Sequence, residues 1–150
     1  MHKIFIALAI VVVGAAPVLA SQQTDVMTPV RQFVDGFNKR DIKMAQAACN
    51  DQSFIIDDFP PHEWHGSGAT SKWLNNYNAY ARKNGITDGF VTLGKPQHID
   101  VTGNDAYVVV PTNFSLKKRG KVVKETGLMT LVLHKRGSDW RITAWSWADN

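Results

Sequence analysis

The sequence predicts an α+β protein in which three N-terminal helices pack on a curved antiparallel sheet, forming a cone-shaped α+β barrel. Apolar residues recur at helical spacing in the first half of the chain. From residue 89 onward they form strand-like segments separated by hairpin-type turns. A sheet that curls over helices leaves a cone with an apolar wall, which is the usual geometry of a small-molecule pocket.

The first 20 residues have the pattern of a signal peptide. Lys3 supplies the positive start, residues 4–13 the apolar stretch, and residues 18–20 a small-residue cleavage site. Pro17 interrupts the apolar run short of the roughly 20 residues that span a bilayer. We therefore expect a periplasmic or secreted protein that keeps no stable membrane anchor after cleavage, with one domain at residues 21–150.

The composition argues against a disulfide-stabilised protein and against a nucleic-acid-binding protein. Cys49 is the only cysteine, so no intramolecular disulfide can form, and we expect it in the core. Loss of Lys3 lowers the net charge from +4 to +3, because 16 basic residues then face 13 acidic ones. The basic run at residues 117–121 is typical of a solvated hairpin tip, so we predict no nucleic-acid partner.

Three helices are predicted before the sheet. Thr28 and Pro29 have the pattern of a cap and a first-turn proline for the first helix, and Asp41 can cap the second. The third helix should end at Gly85. Their inner faces are the apolar stripes Val30, Phe33, Val34 and Phe37; Ile42, Ala45, Ala48 and Cys49; and Trp73, Leu74, Tyr77, Tyr80 and Ala81.

Five strand-like segments follow, at residues 90–93, 97–102, 106–116, 121–135 and 140–147, and the last four should form an antiparallel meander. Pro111 indicates a bulge or bend. Simple alternation in the last segment separates Arg141, Thr143, Trp145 and Trp147 from Trp140, Ile142, Ala144 and Ser146. Either face would expose apolar area and is a candidate homodimer surface.

The join between helices and sheet carries the chemistry-bearing residues. Asp57 and Asp58 follow the apolar residues Phe54, Ile55 and Ile56, so one of the two acids should face the cone, and we expect Asp57. Burial there would raise its pKa towards a useful value.

His62 and His65 follow closely in the sequence. One of them could exchange protons near Asp57, since imidazole titrates near neutral pH. The spacing is also compatible with a metal site completed by Glu63, but such spacing is common, and we predict neither a metal nor a cofactor. Thr112, Asn113 and Glu125 are polar residues in apolar strands, and we interpret them as ordinary hairpin positions.

The order of elements resembles the nuclear-transport-factor-2-like superfamily, in particular its SnoaL-like domains. The resemblance covers essentially the whole mature chain. It is carried by residues 30–38 with Asp41, by the acidic end of the strand at residues 54–58, by Gly66, and by residues 140–145. It implies the cone fold, and in many members pairing through the outer face of the sheet. Its functional implication is broad, because the superfamily includes isomerases, cyclases, dehydratases and non-enzymatic binding domains.

The resemblance to ketosteroid isomerases implies that Asp57 takes the place of the general base. The two oxyanion-hole positions, however, fall on Phe33 and near Met129, neither of which donates a hydrogen bond. Each such donor is commonly worth about 3 to 4 kcal/mol of barrier, so we reject that activity.

Three functions remain open. The first is binding of a small apolar or aromatic ligand in the cone, without catalysis, by Phe33, Phe37, Asp57, Trp64, Trp73, Tyr77, Met129 and Trp145. The second is an isomerase, dehydratase or cyclase that uses Asp57 as general base, assisted by His62 or His65. The third is a structural, dimeric accessory protein that uses the sheet face.

Overall fold

The computed structural model describes the backbone of residues 16–149 and the side chains of residues 23–149. The predicted signal peptide at residues 1–20 therefore lies largely outside the described residues, since only the backbone of residues 16–20 is described. The elements run α1 (Ala16–Lys39), α2 (Ile42–Ala48), β1 (Cys49–Ile56), β2 (Glu63–Ser67), α3 (Ala69–Asn84), β3 (Ile86–Leu93), β4 (His98–Thr102), β5 (Asp105–Lys118), β6 (Lys121–Arg136) and β7 (Asp139–Asp149). No described helix is both long and apolar enough to cross a membrane.

Helix α1 begins well before the predicted cap, so that prediction was wrong. Pro29 lies inside the helix, and the Thr28 hydroxyl donates to the carbonyl of Thr24, as a residue within a helix does. Val26 and Met27 are buried and extend the apolar face upstream of the proline. Burial of that face stabilises the turns that precede Pro29 and outweighs the single backbone hydrogen bond that the proline removes.

The predicted cap of α2 and the predicted end of α3 are both found, whereas Cys49, expected on the second helix, begins β1. Asp41 caps α2 by accepting from the Met44 amide at 3.0 Å, and Gly85 ends α3 in the left-handed conformation that glycine adopts at low cost. Gly36 permits close approach of α1 and α2, because a Cβ there would lie 2.5 Å from the backbone nitrogen of Ala45. The caps thus define where α2 begins and α3 ends, and the close backbone contact at Gly36 sets the distance between α1 and α2.

The sheet has the order β2-β1-β7-β6-β5-β3, and β4 pairs with the remaining length of β5. The hairpins β4–β5, β5–β6 and β6–β7 are antiparallel, which confirms the predicted meander. Strand β1 pairs in parallel with β7, so the sheet is mixed and not purely antiparallel as expected. Strand β2, which was not predicted, covers the free edge of β1. The three helices pack on the curved sheet, and the fold class is confirmed.

The predicted bulge at Pro111 is absent, because the register between β5 and β6 continues through this residue. Pro111 instead lies where the strand on the other edge of β5 changes from β4 to β3. On the other edge of β5, Leu93 of β3 pairs with Thr112, whereas His98 of β4 pairs with Val109. The proline has no amide hydrogen to donate, so it fits the point where one edge partner replaces the other.

A bulge in β7 places four large side chains on the inner face of the sheet. Leu133 pairs with Ile142 and Val132 with Ala144, which leaves Thr143 as the extra residue. The alternation therefore changes phase: Trp140 and Ile142 before the bulge, and Trp145 and Trp147 after it, all point inward. The prediction that Trp145 and Trp147 share a face with Arg141 was wrong for this reason.

Candidate functional site

An apolar cavity of about 90 Å³ lies between α1, α3 and the inner face of the sheet. Roughly 10–15 Å³ suffices for one water molecule, so the cavity admits a molecule of several heavy atoms. The residues that line it are Phe33, Val34, Phe37, Asp57, Asp58, Phe59, Trp73, Tyr77, Val91, Thr112, Phe114, Glu125, Met129, Trp145 and Trp147.

Asp57 lies directly after β1 and presents its carboxyl group to this cavity. The Trp73 indole Nε1 donates to Oδ2 at 2.7 Å, and the Asp58 amide donates to Oδ1 at 2.9 Å. Burial raises the pKa of Asp57 to about 6, although both hydrogen bonds favour the charged form. The group is therefore an oriented carboxyl that changes protonation close to neutral pH.

Asp58 also lines the cavity, so the choice between the two acids was not exclusive. Strand β1 ends at Ile56, and strict alternation of side chains does not extend to residues beyond a strand. Glu125 of β6 reaches the same cavity, and its pKa is raised by burial and by the negative charges of Asp58 and Asp149. Thr112 lines it too, which corrects our interpretation of Thr112 and Glu125 as ordinary hairpin positions, whereas Asn113 is exposed.

Three tryptophans of the cavity differ in what their indole nitrogens bind. Trp73 donates to Asp57, and Trp147 donates to the Thr112 hydroxyl at 2.8 Å. The Nε1 of Trp145 is buried and has no hydrogen-bond partner among the described residues. Tyr77 adds a hydroxyl group whose pKa burial raises to about 12, so it stays protonated at neutral pH and can donate.

Of the other residues expected in the pocket, all but Trp64 line the cavity. Phe33, Phe37, Trp73, Tyr77, Met129 and Trp145 line the cavity as expected. Trp64 does not: it is buried behind Phe59, with ring centroids 4.9 Å apart, and its Nε1 donates to Asn76 at 2.8 Å. The reason is that the unpredicted strand β2 turns Trp64 into the core beside α3, which leaves Phe59 on the cavity side.

Both histidines lie outside the cavity, which corrects the expectation that one assists Asp57 directly. The Nδ1 of His62 lies 3.2 Å from the backbone carbonyl of Asp57 and not against its carboxylate. His65 pairs with Phe54 on the outer face of the sheet and forms an exposed ion pair with Glu63 at 3.4 Å. No group of three or more histidine, cysteine or acidic residues in the described chain has a metal-site arrangement.

Asn38, at the end of α1, fixes one wall of the cavity. Its side-chain amide donates to the Val91 carbonyl at 2.8 Å and accepts from the Val91 amide at 2.7 Å. These two bonds hold the edge strand β3 against the helix, and Val91 lines the cavity. No periodicity in the sequence signalled this contact, because it joins residues 53 positions apart.

No protein-family model and no curated protein matches the sequence. Solved structures do match the fold. A nuclear-transport-factor-2-like superfamily protein from Salmonella enterica is 18% identical, with a TM-score of 0.72, over 87% of this chain and 92% of that one. A hexachlorocyclohexane dehydrochlorinase, LinA type 3 from Novosphingobium barchaimii, is 10% identical, with a TM-score of 0.76, over 91% of each chain.

A ketosteroid isomerase-like protein from Erwinia carotovora is 13% identical, with a TM-score of 0.66, over 84% of this chain and 94% of that one. Identities this low describe the fold and not the activity. The chain therefore has the cone-shaped α+β fold of nuclear-transport-factor-2-like and ketosteroid isomerase-like proteins.

Proposed function

We propose that this protein binds a small, largely apolar molecule in the cavity between its helices and its sheet, and that it does so after export to the periplasm or the medium. The observation that carries the binding proposal is the cavity itself: an apolar space walled by aromatic rings, with one oriented carboxyl group. Export is inferred from the residue pattern of the first 20 positions.

Binding can be tested with benzene and indole as probes, followed by NMR chemical shifts of the tryptophan indole groups. We expect saturable shifts of Trp73 and Trp147. Val91→Trp should fill the cavity and abolish them, whereas Val122→Trp, at an exposed position outside it, should not. Saturable binding that survives Val91→Trp would contradict the proposed site.

A second candidate function is removal of a proton from a bound substrate by Asp57. It is favoured by the pKa of about 6 and by the two hydrogen bonds that orient the carboxylate. One fold neighbour is named as a dehydrochlorinase, a class of enzyme whose reaction removes a proton together with chloride. Phe33 and Met129 line the cavity and supply no donor, so Tyr77 is our candidate to stabilise developing negative charge.

This second function predicts turnover that depends on Asp57. We would test small chlorinated alkanes and cyclic ketones at pH 7.5, measuring chloride release and exchange of α-protons for deuterium. Asp57→Asn should reduce any rate at least a thousandfold, while Asp51→Asn, at an exposed position on β1, should not change it. A rate that persists in Asp57→Asn would exclude Asp57 as the base.

A further inference from the structure

Every charged residue that lines the cavity is acidic. These residues are Asp57, Asp58 and Glu125, and no lysine, arginine or histidine lies among the described lining residues. The protein as a whole carries a formal charge of +4, so this bias belongs to the cavity and is opposite to that of the chain. A bound anion would meet three carboxyl groups and no basic side chain among the described lining residues.

The three carboxyl groups act on the same region. Burial is the main cause of the raised pKa of Tyr77, and the negative charges of Glu125, Asp57 and Asp58 raise it further. Burial likewise raises the pKa of Glu125, and the charge of Asp58 adds to it. Two cations act nearby, since Arg40 lowers the pKa of Tyr77 and Lys118 lowers that of Glu125. Neither cation lines the cavity, and Arg40 lines a separate cleft beside it.

Aromatic rings make up much of the cavity lining. Trp73 and Tyr77 are stacked at 23°, whereas other pairs meet at steeper angles. Trp73 and Trp145 meet at 89°, with centroids 4.9 Å apart, and Phe33 and Trp145 meet at 54°. Phe37 meets Tyr77 at 59°. The face of an aromatic ring is electronegative and attracts organic cations, so a lining this rich in rings favours a positively charged ligand over an anion.

We propose that the molecule bound in this cavity is a small organic cation, an alkylated ammonium whose methyl or methylene groups contact the rings while its charge is balanced by Asp57, Asp58 and Glu125. This inference rests on the proposed binding function and adds the charge of the ligand to it. An uncharged occupant would strip water from the half-buried Asp57 and Glu125 carboxylates and put nothing in its place, whereas an ammonium would supply an opposite charge.

Three probes of nearly the same shape separate the possibilities. Choline, 3,3-dimethylbutan-1-ol and 3,3-dimethylbutanoate share a branched head and differ in charge. We expect calorimetry at pH 7.5 to give choline at least tenfold tighter binding than the alcohol, and no binding of the butanoate. Choline affinity should rise between pH 5 and pH 7, as Asp57 loses its proton, while alcohol affinity should not.

Charge variants test the assignment to this cavity. Glu125→Gln and Asp58→Asn should each weaken choline binding at least threefold, whereas Asp51→Asn removes an equal charge outside the cavity and should leave it unchanged. If the alcohol binds as tightly as choline, the charge inference is wrong while the binding function stands. If choline, the alcohol, benzene and indole all fail to bind, both the charge inference and the proposed binding function are wrong.

Discussion

The indole nitrogen of Trp73 donates a hydrogen bond of 2.7 Å to the Asp57 carboxylate in the cavity between the helices and the sheet. The donor comes from α3 and the acceptor from the end of β1, so the bond joins the helical layer to the sheet. This hydrogen bond favours the charged form of Asp57, whereas burial favours the neutral form. Burial has the larger effect, and the pKa of Asp57 is therefore raised to about 6.

We predict that Trp73→Phe lowers the free energy of unfolding by about 2 kcal/mol more than Trp145→Phe at pH 8. The first variant removes a hydrogen bond to a charged group, worth about 1.5–3 kcal/mol. The second removes an indole N–H that has no partner among the described residues, at a similar loss of ring volume. Urea unfolding of both variants measures the difference, and equal losses would contradict the role of the Trp73 bond.

Asp57→Asn should stabilise the protein at neutral pH and not at acid pH. The folded pKa of about 6 lies above the ordinary aspartate pKa of 3.8, so the folded state holds a proton that the unfolded state releases between those pH values. Stability therefore falls as pH rises from about 4 to 6, by up to about 3 kcal/mol. Asn carries no such charge, so the gain of the variant should grow over this range.

The measurement is urea unfolding of both proteins at pH 4 and pH 8. Loss of the second acceptor oxygen costs the variant about 1 kcal/mol at both values, so the change with pH is the informative quantity. A gain that is the same at pH 4 and pH 8 would contradict the raised pKa of Asp57.

Asn38→Ala should destabilise the cavity wall by about 2–3 kcal/mol, because two hydrogen bonds to Val91 are lost and its backbone groups are left unpaired. Amide hydrogen exchange of β3 should accelerate selectively. Asn84→Ala is the matched control, since it removes one local bond to the Tyr80 carbonyl. Similar losses of unfolding free energy in both variants would show that the two Asn38–Val91 hydrogen bonds contribute no more than one local bond.

We propose a homodimer that pairs through the outer face of the sheet. Phe54, Ala144, Val132 and Tyr107 form one row across β1, β7, β6 and β5, because each is the register partner of the next. Phe54, Val132 and Tyr107 are 40%, 42% and 43% exposed. A contiguous exposed apolar row of this kind is typical of an interaction surface.

Val132→Glu should convert the dimer to a monomer in size-exclusion chromatography with light scattering. Val122→Glu makes the same change near the tip of the β5–β6 hairpin, where Val122 is 64% exposed, and should leave the dimer intact. A monomeric wild-type protein at 100 μM would refute this pairing.

Local patterns predicted much of the fold and part of the site. The caps at Asp41 and Gly85 and the hairpins of the meander depend on neighbouring residues, and each is found where the sequence indicated. Pro29 is the counterexample, since burial of Val26 upstream of it extends α1 beyond the start that Thr28 and Pro29 indicated. Local patterns also failed at Trp64. Its burial could be expected from the sequence, but whether a buried ring faces the cavity depends on the strand that carries it, and β2 was not predicted.

Periodicity, caps and turn residues act over a few positions, so they sufficed to predict three helices apart from the start of α1, the meander, and an acidic residue at the end of β1. The tertiary structure brings Asp58 and Glu125 to the same cavity as Asp57, and its bulge at Thr143 turns Trp145 and Trp147 inward. It also turned both histidines away from the cavity. These outcomes depend on strand register and on burial between distant segments, which no local pattern specifies.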